Sequence, residues 1–525
     1  MTAVTDRRDA ALVRVGLDER HTQVVPEDGM RNKVFDSFDQ AVADIPDGAT
    51  IAVDSWGVAA TAQNLIAALK RKGARDLTLV THNFVPLLVV PEEEATMPTA
   101  LLPQLKRLIT AVVGVRQLGA GAFVKEWVEK GLQVELSSHG TLAARLHAGA
   151  SALGGIYNPV GLGTVLQEGK EIRTLDGREY ILEKPIKPDF AFIRGHKADI
   201  LGNLVYRGTY RVDQPVMAMA AAVTIAEVDE IVGVGGLDAE HIVTPGIFVD
   251  RIIRIPRNGL GTPERTRALI NKLGEFEIAR KMLFRSAQPE PLAERPEVEM
   301  VNGRVRQRLD RDTIAMRAAR ELKPGDYANL GIGIPNFCAL YIPDGVIFQS
   351  ENGALGYGPL VLENEIDKAE FNYVDAGGRF VTRVPGMAIF DVVTSFSMIR
   401  GGRLVTVLGA MEVSEKGDLA NWNTSQDALG GTIGGGMDLA TGAKRVIVTM
   451  EHTTKTGKPK IVRRCSYPLT AKECVDLIVT DLAVIEVTPQ GLVLKETAPG
   501  WTVEDIQAVT EARLRPAPDL KEIEL

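Results

Sequence analysis

From about residue 31 onward, helix-period runs alternate with short β-branched runs, and this alternation limits the chain to few architectures. Phe35 to Ile45 has a helical pattern, Thr50-Ile51-Ala52-Val53 reads as a strand, Ala59 to Lys72 as a helix and Leu77-Thr78-Leu79-Val80 as a strand. Such an order is the signature of βαβ units and a mainly parallel sheet. The same grammar occurs twice. Asp44-Ile45-Pro46-Asp47-Gly48 before Thr50 parallels Glu321-Leu322-Lys323-Pro324-Gly325 before Tyr327, each ending a helix, turning at glycine and entering a strand. Ala191 to Leu204 likewise parallels Val405 to Leu419. One long internal period fits two related domains better than a solenoid.

The fold class expected is therefore α/β, two related open α/β domains with mainly parallel sheets in tandem. Residues 1–30 lack periodicity and read as an N-terminal arm. The first domain is taken as 31–260, a linker as 261–303 and the second domain as 304–525. The linker centres on Ser286-Ala287-Gln288-Pro289-Glu290-Pro291-Leu292-Ala293-Glu294-Arg295-Pro296-Glu297, too rich in proline and charge to hold a core element.

Composition excludes some classes of function. Apolar residues make up 45% and charged residues 24% of 525, values of a globular protein able to bury several cores. The net charge of −8, with both signs interspersed, offers no basic face for nucleic acid. The N-terminus lacks an apolar leader core and no run is long enough to cross a bilayer, so no membrane partner is expected. Cys338, Cys465 and Cys474 have no metal-ligand spacing, and their odd number points to reduced thiols in a cytoplasmic compartment with no metal.

The most telling local stretch is Gln349-Ser350-Glu351-Asn352-Gly353-Ala354-Leu355-Gly356-Tyr357-Gly358-Pro359. Val346-Ile347-Phe348 reads as a buried strand entered by the Pro343-Asp344-Gly345 turn. Glu351 then falls at a strand's carboxyl end, where open α/β sheets bind ligands. A glutamate there is ionised at neutral pH by its reference value and serves as a nucleophile without a general base.

Three further motifs accompany it: Asn329-Leu330-Gly331-Ile332-Gly333-Ile334-Pro335, 22 residues before Glu351, then Gly417-Asp418-Leu419-Ala420-Asn421-Trp422 and Gly434-Gly435-Gly436-Met437-Asp438-Leu439. In this order and spacing they resemble the β half of the class I CoA-transferases, especially the succinyl-CoA:3-oxoacid type. Val134-Glu135-Leu136, Gly140-Thr141-Leu142-Ala143, Pro159 to Thr164 and Asp189 to Phe192 resemble the α half. The resemblance covers roughly residues 33 to 515, as a fused arrangement of halves that are often separate subunits.

That resemblance implies coenzyme A transfer from an acyl-CoA to a carboxylic acid, with 3-oxoacids and ketone-body metabolism as the family's habit. CoA would be substrate and covalent adduct, no other cofactor tightly bound, and the assembly a homodimer. Glu351 would carry the acyl group and then CoA. Gly435 matches the family's oxyanion amide, although a run such as Gly434-Gly435-Gly436 also makes a plain tight turn. His139 stands where the family has a second oxyanion donor, a glutamine. It is read either as an imidazole donor or as a loop histidine without catalytic duty. Asn329, Gly331, Gly333, Asn352, Gly353, Asn421 and Gly434 match positions lining the CoA site, with Asn421 also readable as an Asx-type turn residue.

Trp56, His82 and Asn83 stand where the family's acid-binding pocket has a glycine-rich loop and an asparagine pair, and Trp56 is open to a second reading as a core aromatic. These departures point to an acyl pocket reshaped for other acids. Two alternatives are carried: an acyl-CoA hydrolase on the same scaffold, and a non-catalytic ligand-sensing protein of related fold.

Overall fold

The computed structural model describes residues 32–524 apart from 86–94, 115–121, 278–279, 281–282, 285–297, 302–303 and 426–427. The expected arm and the proline-rich connector Ser286 to Glu297 lie outside the described residues. In the first half, β1 (Thr50–Val53), β2 (Leu77–Asn83), β3 (Leu105–Val112), β4 (Gln133–Leu136), β5 (Phe190–Asp199), β6 (Val223–Val232) and β7 (Arg251–Arg254) form one sheet. Their order is β7-β6-β5-β1-β2-β3-β4, every pair parallel, with a short antiparallel strand, Leu204–Val205, on β5. Central β1 pairs Ile51 with both Leu79 and Phe190, and Ile51, Ala52 and Val53 are buried, as expected of a parallel strand covered on both faces.

Helices α1 (Gln63–Lys72), α2 (His139–Ala150) and α3 (Gln214–Ala220) flank this sheet, and α4 (Pro263–Gly274) follows it in the chain. Helix α1 starts later than its apolar period indicates. Its first N–H groups are taken by the buried Glu227 carboxylate, from Asn64 at 3.0 Å and Leu65 at 3.1 Å, and Gly73 at φ 76° closes it. The helix expected over Phe35 to Ile45 shrinks to Phe38–Ala41 behind a Ser37 cap, because Phe35 donates its N–H to Ile252 at the sheet edge over 2.8 Å. Helix α4 buries Leu269, Ile270 and Leu273.

The second half centres on parallel strands, β8 (Tyr327–Leu330), β9 (Ile347–Ser350), β12 (Val405–Gly409), β13 (Arg445–Met450) and β14 (Leu477–Thr480), in the order β9-β8-β12-β13-β14. Short strands β10 (Ala354–Leu355) and β11 (Ala388–Ile389) extend one edge antiparallel, while β15 (Ala483–Thr488), β16 (Gly491–Thr497) and β17 (Leu514–Glu522) extend the other. Helices α5 (Arg311–Ala319), α6 (Val392–Arg400) and α7 (Gly436–Gly442) lie against it. The two halves thus repeat an α/β plan. Among the described residues no helix is long and apolar enough to cross a membrane.

The halves meet through α2, α6 and α7. A Cβ on Gly140 of α2 would lie 2.4 Å from both Asp438 Oδ1 and Phe396 Cδ1, so only glycine admits this approach. The Asp438 carboxylate there accepts from the Gly140 N–H at 3.1 Å and from Arg400 Nε at 2.8 Å, while Arg400 Nη2 donates to Thr141 Oγ1 at 2.8 Å. Trp56 Nε1 to the Ala376 carbonyl (3.1 Å) and Thr209 N to the Asn372 carbonyl (2.7 Å) add further bonds across the junction.

Candidate active site

Strand β9 delivers Glu351 at its carboxyl end. Gly353 N donates to the Ser350 carbonyl at 3.0 Å, which makes Glu351 the first central residue of a tight turn. Gly353 takes φ 102°, and a Cβ there would meet the Phe390 carbonyl oxygen at 2.0 Å, so the turn requires glycine. Buried Asn352 ties the turn down by donating from Nδ2 to the Val374 carbonyl at 2.9 Å.

Opposite stands the loop Gly434-Gly435, which leads into α7 with Gly435 as the N-cap residue. A Cβ on Gly435 would lie 2.2 Å from Glu351 Oε2 and 2.5 Å from Cδ, so the carboxyl rests against the bare α-carbon. Gly434 adopts φ 56°, its carbonyl accepts from His139 N at 3.0 Å, and a Cβ on it would lie 3.6 Å from His139 Nε2. Glu351 and His139 therefore converge on adjacent glycines, one from each half of the chain. His139 reaches this point as the first residue of α2, whose Ser138 N-cap accepts from Thr141 N.

The electrostatics correct one expectation. Burial, then the nearby charges of Asp438 and Asp375, push the Glu351 carboxyl up to about 8, so it is mainly protonated at pH 7. Asp375 is itself buried and paired with Arg379, whose Nε lies 2.9 Å from Asp375 Oδ2. The desolvated carboxylate that forms above that pH is a stronger base than an exposed glutamate.

The remaining expected site residues divide by what they touch. Asn329, in β8, is buried and spends Nδ2 on Gln349, at 2.7 Å to the side-chain oxygen and 3.2 Å to the carbonyl. It braces the strand that carries Glu351. Asn421 accepts from Thr470 Oγ1 at 2.6 Å and donates to the Gly409 carbonyl at 3.1 Å, fixing the segment beside Gly436. Gly331 and Gly333 flank Ile332, a largely exposed loop residue, and Gly333 needs φ 92°.

Trp56 is 3% exposed, belongs to the core, and packs its indole, tilted by 35°, with its centroid 4.4 Å from that of the His139 ring. His82 has no exposed surface. It lies behind His139, with the two Nδ1 atoms 2.8 Å apart and the rings nearly parallel. Asn83 is half-buried, its backbone held by the Ser55 hydroxyl.

Sequence reasoning missed Asp213, Arg400 and Asp375, the first two because their partners lie far away in the chain. His82 Nε2 is 3.2 Å from Asp213 Oδ1, both fully buried. Asp54 accepts from Trp56 N at 2.8 Å and from Asp213 N and Gln214 Nε2 at 3.2 Å.

Comparison with known proteins agrees with this architecture. The family described as Coenzyme A transferase matches residues 35–254 and 311–508. Mitochondrial succinyl-CoA:3-ketoacid coenzyme A transferase 2A of Mus musculus is 39% identical over 506 residues, covering 92% of this chain and 89% of its own. The Homo sapiens mitochondrial transferase 2 is 36% identical over 516 residues, covering 94% and 92%. The acyl-CoA transferase YdiF of Escherichia coli O157:H7, as apoenzyme, superposes with a TM-score of 0.70 at 22% identity over 95% of this chain and 96% of its own, a likeness of fold.

The chain belongs to the coenzyme A transferase family, as a class I CoA-transferase with both halves in one polypeptide. It is thus an enzyme that transfers coenzyme A, which sets aside the ligand-sensing alternative.

Proposed function

We propose that the protein moves coenzyme A from an acyl-CoA to a carboxylic acid through a covalent relay on Glu351, with 3-oxoacids among its substrates. The observation that carries this reading is the Glu351 carboxyl lying on the Gly435 α-carbon at the junction of the halves. The ionised carboxylate attacks the acyl-CoA carbonyl carbon, the C–S bond breaks, and an acyl-glutamyl anhydride and CoA thiolate result. The thiolate attacks the glutamyl carbonyl, expelling the first carboxylate and leaving a glutamyl-CoA thioester. A second carboxylate attacks that thioester and the sequence runs in reverse, so the pairs of bonds made and broken balance without an oxidant or a metal. Each tetrahedral oxyanion needs preorganised donors, for which the Gly435 N–H and His139 are the candidates.

The departures from the family at Trp56 and His82 support an acid site reshaped relative to succinate and acetoacetate users, acting through the position of His139 because both side chains are themselves buried. The names of the curated relatives support 3-oxoacids as a class. Homodimeric assembly and the domain limits 31–260 and 304–525 belong to the same reading. Three free thiols support a reducing compartment, for which we keep the cytoplasmic assignment while the mouse and human relatives are named mitochondrial.

The test is intact-protein mass spectrometry and peptide mapping after incubation with acyl-CoA alone, then with an added carboxylate. A CoA adduct mapping to Glu351, no turnover until the acceptor arrives, and loss of exchange in a folded Glu351→Ala are expected. Full activity in that variant refutes the reading, and acyl-CoA loss without an acceptor identifies a hydrolase.

A further inference from the structure

We propose that Asp213 and His82 form a buried relay that holds His139 in the tautomer whose Nε2 carries the proton, which makes the imidazole a donor aimed at the oxyanion formed on Glu351. The inference rests on the transfer reading above and names His82 and Asp213 as positioning residues.

The geometry is specific. His139 and His82 face each other Nδ1 to Nδ1 at 2.8 Å, and this contact holds one proton. If that proton is on His82, the remaining His139 proton must sit on Nε2, the nitrogen that faces Gly434. What decides is the far side of His82, where Nε2 lies 3.2 Å from Asp213 Oδ1. Beyond this close approach neither His82 Nε2 nor either Asp213 carboxyl oxygen has a hydrogen-bond partner among the described residues. Asp213 stands at the N-cap of α3 and yet makes no capping bond, its carboxyl turned inward.

In the proposed relay the pair carries two protons, one in the contact between Asp213 Oδ1 and His82 Nε2 and one on His82 Nδ1, which donates to His139; a single proton, on His82 Nε2, would leave a lone pair facing His139 and reverse its tautomer. A pair that is neutral overall leaves no net charge on two side chains that have no exposed surface and, among the described residues, no other hydrogen-bond partner for these atoms. Burial, with His82 as neighbour, keeps His139 well below the usual histidine range and hence neutral, so its tautomer matters. The opposite arrangement, a proton on His139 Nδ1, would turn a lone pair toward the developing oxyanion.

The seven histidines make the tautomer directly readable in the full chain labelled with ¹⁵N-histidine, His139 being assigned by its loss in His139→Gln. A protonated Nε2 and an unprotonated Nδ1 are expected. His82→Phe, which keeps a ring but removes the nitrogens, should lower kcat by about tenfold or more with little change in KM. In a His139→Gln background, where an amide donates without a tautomer, the same change should cost little. Asp213→Asn, whose amide can donate to Nε2, should keep the His139 tautomer, and Asp213→Leu should lose it. A proton on His139 Nδ1 in the parent overturns the relay, as does an equal loss from His82→Phe in both backgrounds. These outcomes are separable from the transfer reading. Absence of the Glu351 adduct refutes that reading and the donor role with it, while an adduct formed with the wrong tautomer refutes the relay alone.

Discussion

Replacing Gly435 by alanine puts one methyl group where the Glu351 carboxyl rests. The new Cβ would lie 2.2 Å from Oε2, 2.5 Å from Cδ and 2.7 Å from Oε1, whereas ordinary contact begins near 3.4 Å. The backbone at Gly435, φ −94° and ψ 1°, is open to alanine, so the loop itself need not change. The side chain must yield instead, by roughly 1 Å, and a misplacement of that size at a reacting group costs about 10²-fold in rate. Gly435→Ala should therefore fold with a melting temperature close to the parent's and lose about 10²-fold or more in kcat, measured as initial rates of CoA exchange between acyl-CoA and a carboxylate acceptor. Gly434→Ala is the contrast. Its Cβ has room at 3.6 Å from His139 Nε2, but φ 56° strains any side chain, so stability falls by about 1 kcal/mol. A Gly435→Ala enzyme with parental rate and unchanged stability would show that the carboxyl is not held on that α-carbon and would refute the reasoning.

Glu351 also leaves a signature in stability. Its folded value, about 8, is above the unbound 4.5, so the stabilisation is complete below pH 4.5 and is lost as pH rises through 8. Glu351→Gln should therefore gain on the parent between pH 5 and 9 by roughly a few kcal/mol in denaturant titrations, and a constant difference would contradict the buried carboxyl. Arg400→Ala strands the fully buried Asp438 side chain at the junction of the halves and should cost about 3–5 kcal/mol in thermal or chemical unfolding. The uncompensated Asp438 charge should also move the pH–rate profile of exchange to higher pH.

Much of the site could be read from local sequence because its parts are local devices. Glu351 follows a short apolar strand and precedes a glycine that the turn needs at φ 102°, and chain order alone places such a residue at a sheet's carboxyl end. Gly434 and Gly435 are legible as a loop where backbone and ligand come close. Asn329 and Asn421 were legible as site neighbours but not as braces, since their bonds to Gln349 and Thr470 depend on strand register. The helix over Phe35 to Ile45 was misjudged because Phe35 gains an edge hydrogen bond to Ile252, far beyond any window of local periodicity.

By itself the sequence determined the repeated α/β plan, through alternating periods, and the place of Glu351 in it, through strand, glutamate and glycine in succession. Only the tertiary structure decided that burial pushes the Glu351 carboxyl up to about 8, that its glycine cradle comes with a histidine from the other half, and that this histidine has a second histidine and a carboxylate behind it. The physical reason is range. Backbone propensity acts over a few residues, while desolvation, charge coupling and the sharing of a proton between His82, His139 and Asp213 exist only once residues distant in the chain are brought within a few ångströms in a dry interior.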